Sequence, residues 1–183
     1  MWRSARAAFL VIAALTLGAC DDYLHHFDPY GGRIALPDRH LTPGDVAVTN
    51  ALTLCTRAAP HPSLSQHLTH LLMSRYAIPA EDQSWYVADQ LVPPALGGSN
   101  ALTNWWVLPN AHARRKALVA LGLRAAVCEH LIPLDVAQAR IAADWTTAFP
   151  DGMYAKLSTA SRRRLWEQEQ QILIGSGQGG LDR

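Results

Sequence analysis

Hydrophobic and polar positions follow different rhythms along this chain. Residues 7–19 are apolar almost without break, and residues 46–54 form a run rich in Val, Thr and Leu that fits a strand or a short helix. From Ser63, a good N-cap, Leu64, Leu68, Leu71, Leu72 and Tyr76 recur on one helical face and predict a helix over 63–76. The rhythm then changes. Trp85, Tyr86, Val87, Leu91 and Val92 read as a strand, Gly97 and Gly98 as a turn, and Trp105, Trp106, Val107 and Leu108 as a second strand. Pro109 stops that strand, and Asn110 suits the N-cap of a helix over 111–128 with Leu118, Leu121, Ala125 and Cys128 as its buried stripe. Gly122 weakens that helix by about 1 kcal/mol relative to Ala. Asp135 and Gln138 make a capping-box pair for a helix over 136–145 that buries Val136, Ala137, Ile141 and Trp145. A last helix is predicted over 161–174, followed by a Gly-rich tail, 175–183, read as disordered. The pattern predicts an α+β fold: a mainly helical domain around a small strand–turn–strand–helix unit. That unit places Asp89, Asn104 and His112 on three consecutive elements.

The N-terminal end bears on where the chain resides. Arg3 and Arg6 precede an apolar stretch of 13 residues, too short to span a bilayer comfortably. It ends in Leu17-Gly18-Ala19-Cys20, which resembles the lipobox of bacterial lipoproteins, with Cys20 as the lipidated first mature residue. The expectation is a signal peptide over 1–19 and an exported chain, lipid-anchored to the bacterial cell membrane and facing the periplasm or the cell exterior. An ordinary signal peptide cleaved elsewhere, or an uncleaved anchor, is the alternative. Asp21 resembles the signal that retains some lipoproteins in the inner membrane. Residues 20–35, which include the pair His25-His26, read as a tether; 36–150 reads as the main domain and 151–174 as a helical extension.

Composition narrows the partners. Without residues 1–19 the chain keeps 14 basic and 15 acidic residues, formally −1, so no general basic excess drives nucleic-acid binding. Any phosphate contact needs a local patch. Arg114, Arg115 and Lys116, with Arg124 further along, supply one on the helix over 111–128, with a solvated face as the alternative. Arg162, Arg163 and Arg164 form a second cluster, read as a solvated run rather than a contact for an anionic partner. His67 and His70, three apart, read as polar-face histidines rather than metal ligands. If Cys20 carries lipid, Cys55 and Cys128 remain; an exported pair suits a disulfide, with two buried free thiols as the alternative.

The central segment carries a more specific signal. Asp89-Gln90, Val92-Pro93, Leu96-Gly97-Gly98, Asn104-Trp105-Trp106 and His112 resemble the core of the HNH endonucleases, the ββα-metal nucleases, in one exported bacterial branch. The likeness extends to Leu36-Pro37-Asp38, Thr42-Pro43-Gly44 and Leu54-Cys55-Thr56 upstream, and to Val127-Cys128, Ala137-Gln138 and Asp144-Trp145 downstream. The branch also has cysteines where Cys55 and Cys128 stand.

The resemblance implies that Asp89 and His112 bind one divalent metal ion (Mg, Mn, Ni or Zn). It implies that Asn104 holds the loop and orients the general base, and that DNA is the substrate of metal-dependent phosphodiester hydrolysis. The general-base histidine, however, is Gln90 here. Glutamine has no titratable nitrogen, and loss of a positioned base typically slows a reaction about a hundred- to ten-thousand-fold. Further departures lie nearby. Pro94-Ala95 replaces Leu-Glu, and Arg114-Arg115 followed by Leu118 replaces the family's Lys-Asp and Glu. The implied protein is an HNH-like lipoprotein whose nuclease activity is weakened or lost. The alternative is a non-catalytic module of the cell envelope that binds nucleic acid or a protein partner.

Overall fold

The computed structural model describes residues 27–28, 32–33, 36–59 and 63–177. The expected signal peptide, Cys20, the His25-His26 pair and residues 178–183 lie outside the described residues. Within the stretch read as a tether, β1 (Phe27–Asp28) pairs antiparallel with β2 (Gly32–Arg33). The remainder, Ala35–Arg183, is a second compact unit.

That unit is a mixed α+β fold. Helices α1 (Ala51–Thr56), α2 (Gln66–Arg75), α3 (Asn110–Cys128), α4 (Leu134–Ala143), α5 (Met153–Lys156) and α6 (Thr159–Gly177) accompany one antiparallel pair, β3 (Tyr86–Gln90) and β4 (Trp105–Pro109). The register sets Tyr86 opposite Pro109, Asp89 opposite Trp106 and Gln90 opposite Trp105. Side chains alternate across a strand. On one face Trp106 and Leu108 join Leu96, Leu123, Val127, Ile141 and Trp145 in the main core. On the other, Trp105 and Val107 pack against Leu72 and Met73 of α2. Because both faces are covered, all five residues of β4 are buried. A continuous apolar run is therefore the right sequence for this strand. Burying an aliphatic or aromatic side chain contributes roughly 1.5–3 kcal/mol, so β4 is a large share of what holds the unit together.

The structure corrects several expectations at the ends and faces of elements. Helix α2 begins at Gln66, capped by Ser65 rather than Ser63, and it buries Leu72 and Met73 while Leu71 is 54% exposed. The face is rotated because the helix meets only the narrow Trp105/Val107 side of a two-stranded sheet. Trp85 closes a 3-10 turn (Ala80–Trp85) instead of opening β3, and is 69% exposed. Asn110 does not cap α3; it is the first helical residue, and its amide donates to the Ser84 carbonyl at 2.8 Å. The fully buried face of α3 carries Ala120, Leu123, Ala126 and Val127, not Leu118, Leu121, Ala125 and Cys128. Gln138 completes no capping box. It is buried and donates to the Val48 and Leu96 carbonyls, both at 2.8 Å, while Pro133 precedes the helix. In residues 46–54 the short helix is the element that forms, α1 starting at Ala51, while Val46 makes only an isolated bridge to Gly98. Helix α6 starts two residues early and runs to Gly177, into the expected tail. In the region 151–174, Met153 and Leu157 pack with Ala126 of α3 in a separate small cluster.

Cys55 on α1 and Cys128 at the end of α3 are disulfide-bonded, their Cα atoms 5.6 Å apart across 73 positions of sequence. No described helix is long and apolar enough to cross a membrane.

Candidate functional site

The site is built on the loop between β3 and β4. Its two glycines are required by space. At Gly97 (φ +79°) a Cβ would lie 2.7 Å from the Val48 Cβ, and at Gly98 it would lie 1.7 Å from the Val92 carbonyl oxygen. Asn104, at the end of the loop, is wholly buried. Its Oδ1 accepts from the Val92 N–H at 2.9 Å, and its Nδ2 donates to the Val92 and Ser99 carbonyls at 2.9 and 2.8 Å. One side chain thus pairs backbone groups that the turn itself leaves without ladder partners.

Gln90 ends β3 and is 4% exposed. Its Nε2 donates to the Ser99 carbonyl at 2.6 Å, the same oxygen that Asn104 holds. Asn104 and Gln90 thus clasp the same loop carbonyl. No histidine stands at the position. His67 and His70 of α2 are exposed, with His70 Nδ1 3.2 Å from the Gln83 Oε1.

The unexpected component is Lys116, expected on a phosphate-facing surface but only 1% exposed. Its Nζ donates to Asp89 Oδ2 and to the Gln90 carbonyl, both at 2.5 Å, and lies 5.8 Å from the centroid of the Trp106 ring. Trp106 Nε1 donates to the same Asp89 oxygen at 3.1 Å. Burial pushes the Lys116 ammonium below the usual lysine range, and the Asp89 carboxylate beside it opposes that shift. The correction has a simple cause. Residues 112, 116, 120 and 123 of α3 share the face turned to the sheet and core, so a lysine at 116 points inward with its ammonium delivered to the nearest carboxylate.

His112, one turn earlier on that face, is 2% exposed, and its imidazole lies edge-on to Trp145 with ring centroids 5.7 Å apart. A cleft of about 430 Å³ has Asp89, Gln90 and Lys116 in its wall, together with Pro93, Pro94, Ala95, Ala117 and Leu121. The Asp89 side chain is 25% exposed.

The carboxylate expected to bind a divalent metal is already paired with a cation. Among the described residues no group of three or more His, Cys, Asp or Glu side chains comes together to hold one. Asp89 Oδ2 already accepts from an ammonium and an indole. A second cation on the same carboxylate would face the full repulsion of Lys116 at short range.

Of the remaining cations, Arg114 and Arg115 are exposed near the start of α3. Arg124 is fastened to backbone carbonyls. Its guanidinium donates to the Leu54 and Arg57 carbonyls at 2.6 and 2.8 Å and to the Ala95 carbonyl at 3.2 Å, closing the C-terminal end of α1. A larger hollow of about 610 Å³ lies beside the disulfide, lined in part by Arg124, Glu129, Ser161 and Arg164, and holds none of the Asp89–Gln90–Asn104–His112 set. The sequence signal that could have found Lys116 was its i+4 spacing from His112. Compared with known families, curated proteins and solved structures, the chain matches no family model, no curated protein and no solved structure.

Proposed function

We propose that this chain is a non-hydrolytic HNH-like module of the bacterial cell envelope, lipid-anchored through Cys20, that binds nucleic acid without cutting it. The observation that carries the reading is Gln90. At the position where the family keeps its general base, this chain has a buried amide fastened to the Ser99 carbonyl. A group of that kind accepts no proton from water near neutral pH, and its donor is already committed to the loop. DNA contact would fall to Arg114 and Arg115, the exposed cations of α3.

A protein partner is the second reading, favoured by one feature. The cleft at Asp89 is walled largely by prolines, alanines and Leu121, and the lysine in its wall is buried. Such a surface offers a phosphate backbone little attraction and offers an apolar segment a place to lie.

Plasmid nicking by the purified full chain in Mg²⁺, Mn²⁺, Ni²⁺ or Zn²⁺ tests the first part. The expected result is intact plasmid. Metal-dependent nicking that disappears in His112→Ala would overturn it. A gel-shift titration tests the second part: the parent retards duplex DNA at low salt, and Arg114→Glu/Arg115→Glu does so less. No retardation by the parent would shift the reading to a protein partner.

A further inference from the structure

We propose that the Lys116 ammonium stands in the place that a divalent metal holds in the ββα-metal nucleases, so that Asp89 is neutralised from within the chain and the unit needs no metal. The inference rests on the HNH-like reading of the unit. It goes beyond the loss of the general base, because it concerns the other half of the hydrolytic machinery.

Three observations converge on it. Lys116 lies one turn beyond His112 on the inward face of α3, so its side chain projects from the helix that the family uses to complete its metal site. Its Nζ reaches Asp89, the residue at the other ligand position, and also the backbone oxygen of Gln90, so the cation is held by two oxygens from the end of β3. It is 1% exposed and stacked near the Trp106 ring, whose own N–H goes to the same carboxylate oxygen. Lys116 is the buried member of the pair and Asp89 is 25% exposed, so the carboxylate and the Gln90 carbonyl offset the cost of burying the ammonium, and the pair is complete within the chain.

The exchange has a chemical consequence. A bound divalent ion polarises a phosphoryl oxygen and acidifies a coordinated water. An ammonium has no open coordination position and can do neither. With Gln90 in place of the base, both requirements of hydrolysis are absent from the same few residues, while the fastening role of Asn104 is kept.

The test is calorimetric titration of Mn²⁺ into the full chain in detergent, which reads metal binding independently of any DNA cleavage or DNA binding. The parent is expected to bind no stoichiometric Mn²⁺, and its unfolding midpoint to be the same in EDTA and in Mn²⁺. Lys116→Ala is expected to gain Mn²⁺ affinity on the order of tenfold or more, the scale on which neighbouring groups tune metal sites. Asp89→Asn/Lys116→Ala should lose that gain. A Lys116→Ala chain that folds only when Mn²⁺ is supplied supports the proposal equally. Asp89→Asn in the parent gives a check that does not depend on that variant. It should lower the midpoint equally with and without Mn²⁺, because it strands a buried ammonium rather than a metal. Stoichiometric Mn²⁺ binding by the parent that Asp89→Asn abolishes would overturn the proposal. So would a folded Lys116→Ala that gains no affinity. Nicking by the parent would sink the non-hydrolytic reading, whereas the titrations decide the role of Lys116.

Discussion

Asn104 shows how much a single buried amide can determine. Its three strong hydrogen bonds reach Val92 and Ser99, which lie 12 and 5 positions earlier in the chain, and hold the glycine loop in one conformation. Removing one partner of a buried hydrogen bond leaves the other unsatisfied at roughly 1–3 kcal/mol. Asn104→Ala is therefore expected to destabilise the domain by about 3 kcal/mol or more, seen as a lower urea midpoint with an unchanged slope. Asn104→Asp should also destabilise, because it keeps the acceptor for Val92 but loses the donors to two carbonyls. A midpoint within a few tenths of a molar of the parent would show that the loop is held by something else. At the same scale, the Gln90 amide is fastened to the Ser99 carbonyl. The identity of the side chain was plain from the sequence, but its attachment to Ser99 was not.

At the scale of elements, α3 and α6 are joined by Glu129 just past the end of α3. Its carboxylate accepts from the Ser158 hydroxyl and N–H at 2.6 and 2.7 Å, at the start of α6, where Ser158 Oγ in turn accepts from the Ser161 N–H at 3.3 Å. The Ser158 hydroxyl first, then the Ser161 hydroxyl and the Ser158 N–H, hold this carboxyl below the ordinary glutamate range. A folded-state pKa below the unfolded one stabilises above the unfolded value, and the contribution is lost as pH falls through the folded value. Glu129→Gln should therefore melt below the parent at neutral pH, with the gap narrowing below about pH 4 as the parent carboxyl protonates. A gap that stays constant on acidification would rule this contact out as the cause. Helix α3 also accounts for its glycine. A Cβ at Gly122 would sit 2.9 Å from the Phe149 ring, so the residue that lowers helix propensity makes room for the segment after α4. Propensity alone could only count that glycine as a cost.

At the scale of the molecule, two ties fasten α1 to α3: the Cys55–Cys128 disulfide and the Arg124 guanidinium on the Leu54 and Arg57 carbonyls. The disulfide closes a loop of 73 positions that contains the whole candidate site. On loop-closure grounds a bridge of that span stabilises by about 4 kcal/mol. Cys55→Ala/Cys128→Ala should lose an amount of that order in chemical unfolding, and reductant should lower the parent midpoint while leaving the variant unchanged. A parent indifferent to reductant would mean that the packing of α1 and Arg124 suffices without the bridge. What the sequence determined by itself was local or periodic: the two β-forming runs, the Gly97-Gly98 turn, the helices after Pro109 and before Pro150, the order of Asp89, Asn104 and His112, and the two cysteines with a disulfide among their options. These follow from propensity and spacing, which act over a few residues. Only the tertiary structure decided which face each helix turned inward. That choice made Leu71 a surface residue, sent Gln138 to two loop carbonyls rather than a cap, and carried the Lys116 ammonium from an expected phosphate surface to Asp89. A side chain's charge environment is set by what packs across from it, and for Lys116 the decisive carboxylate lies 27 positions away in the chain.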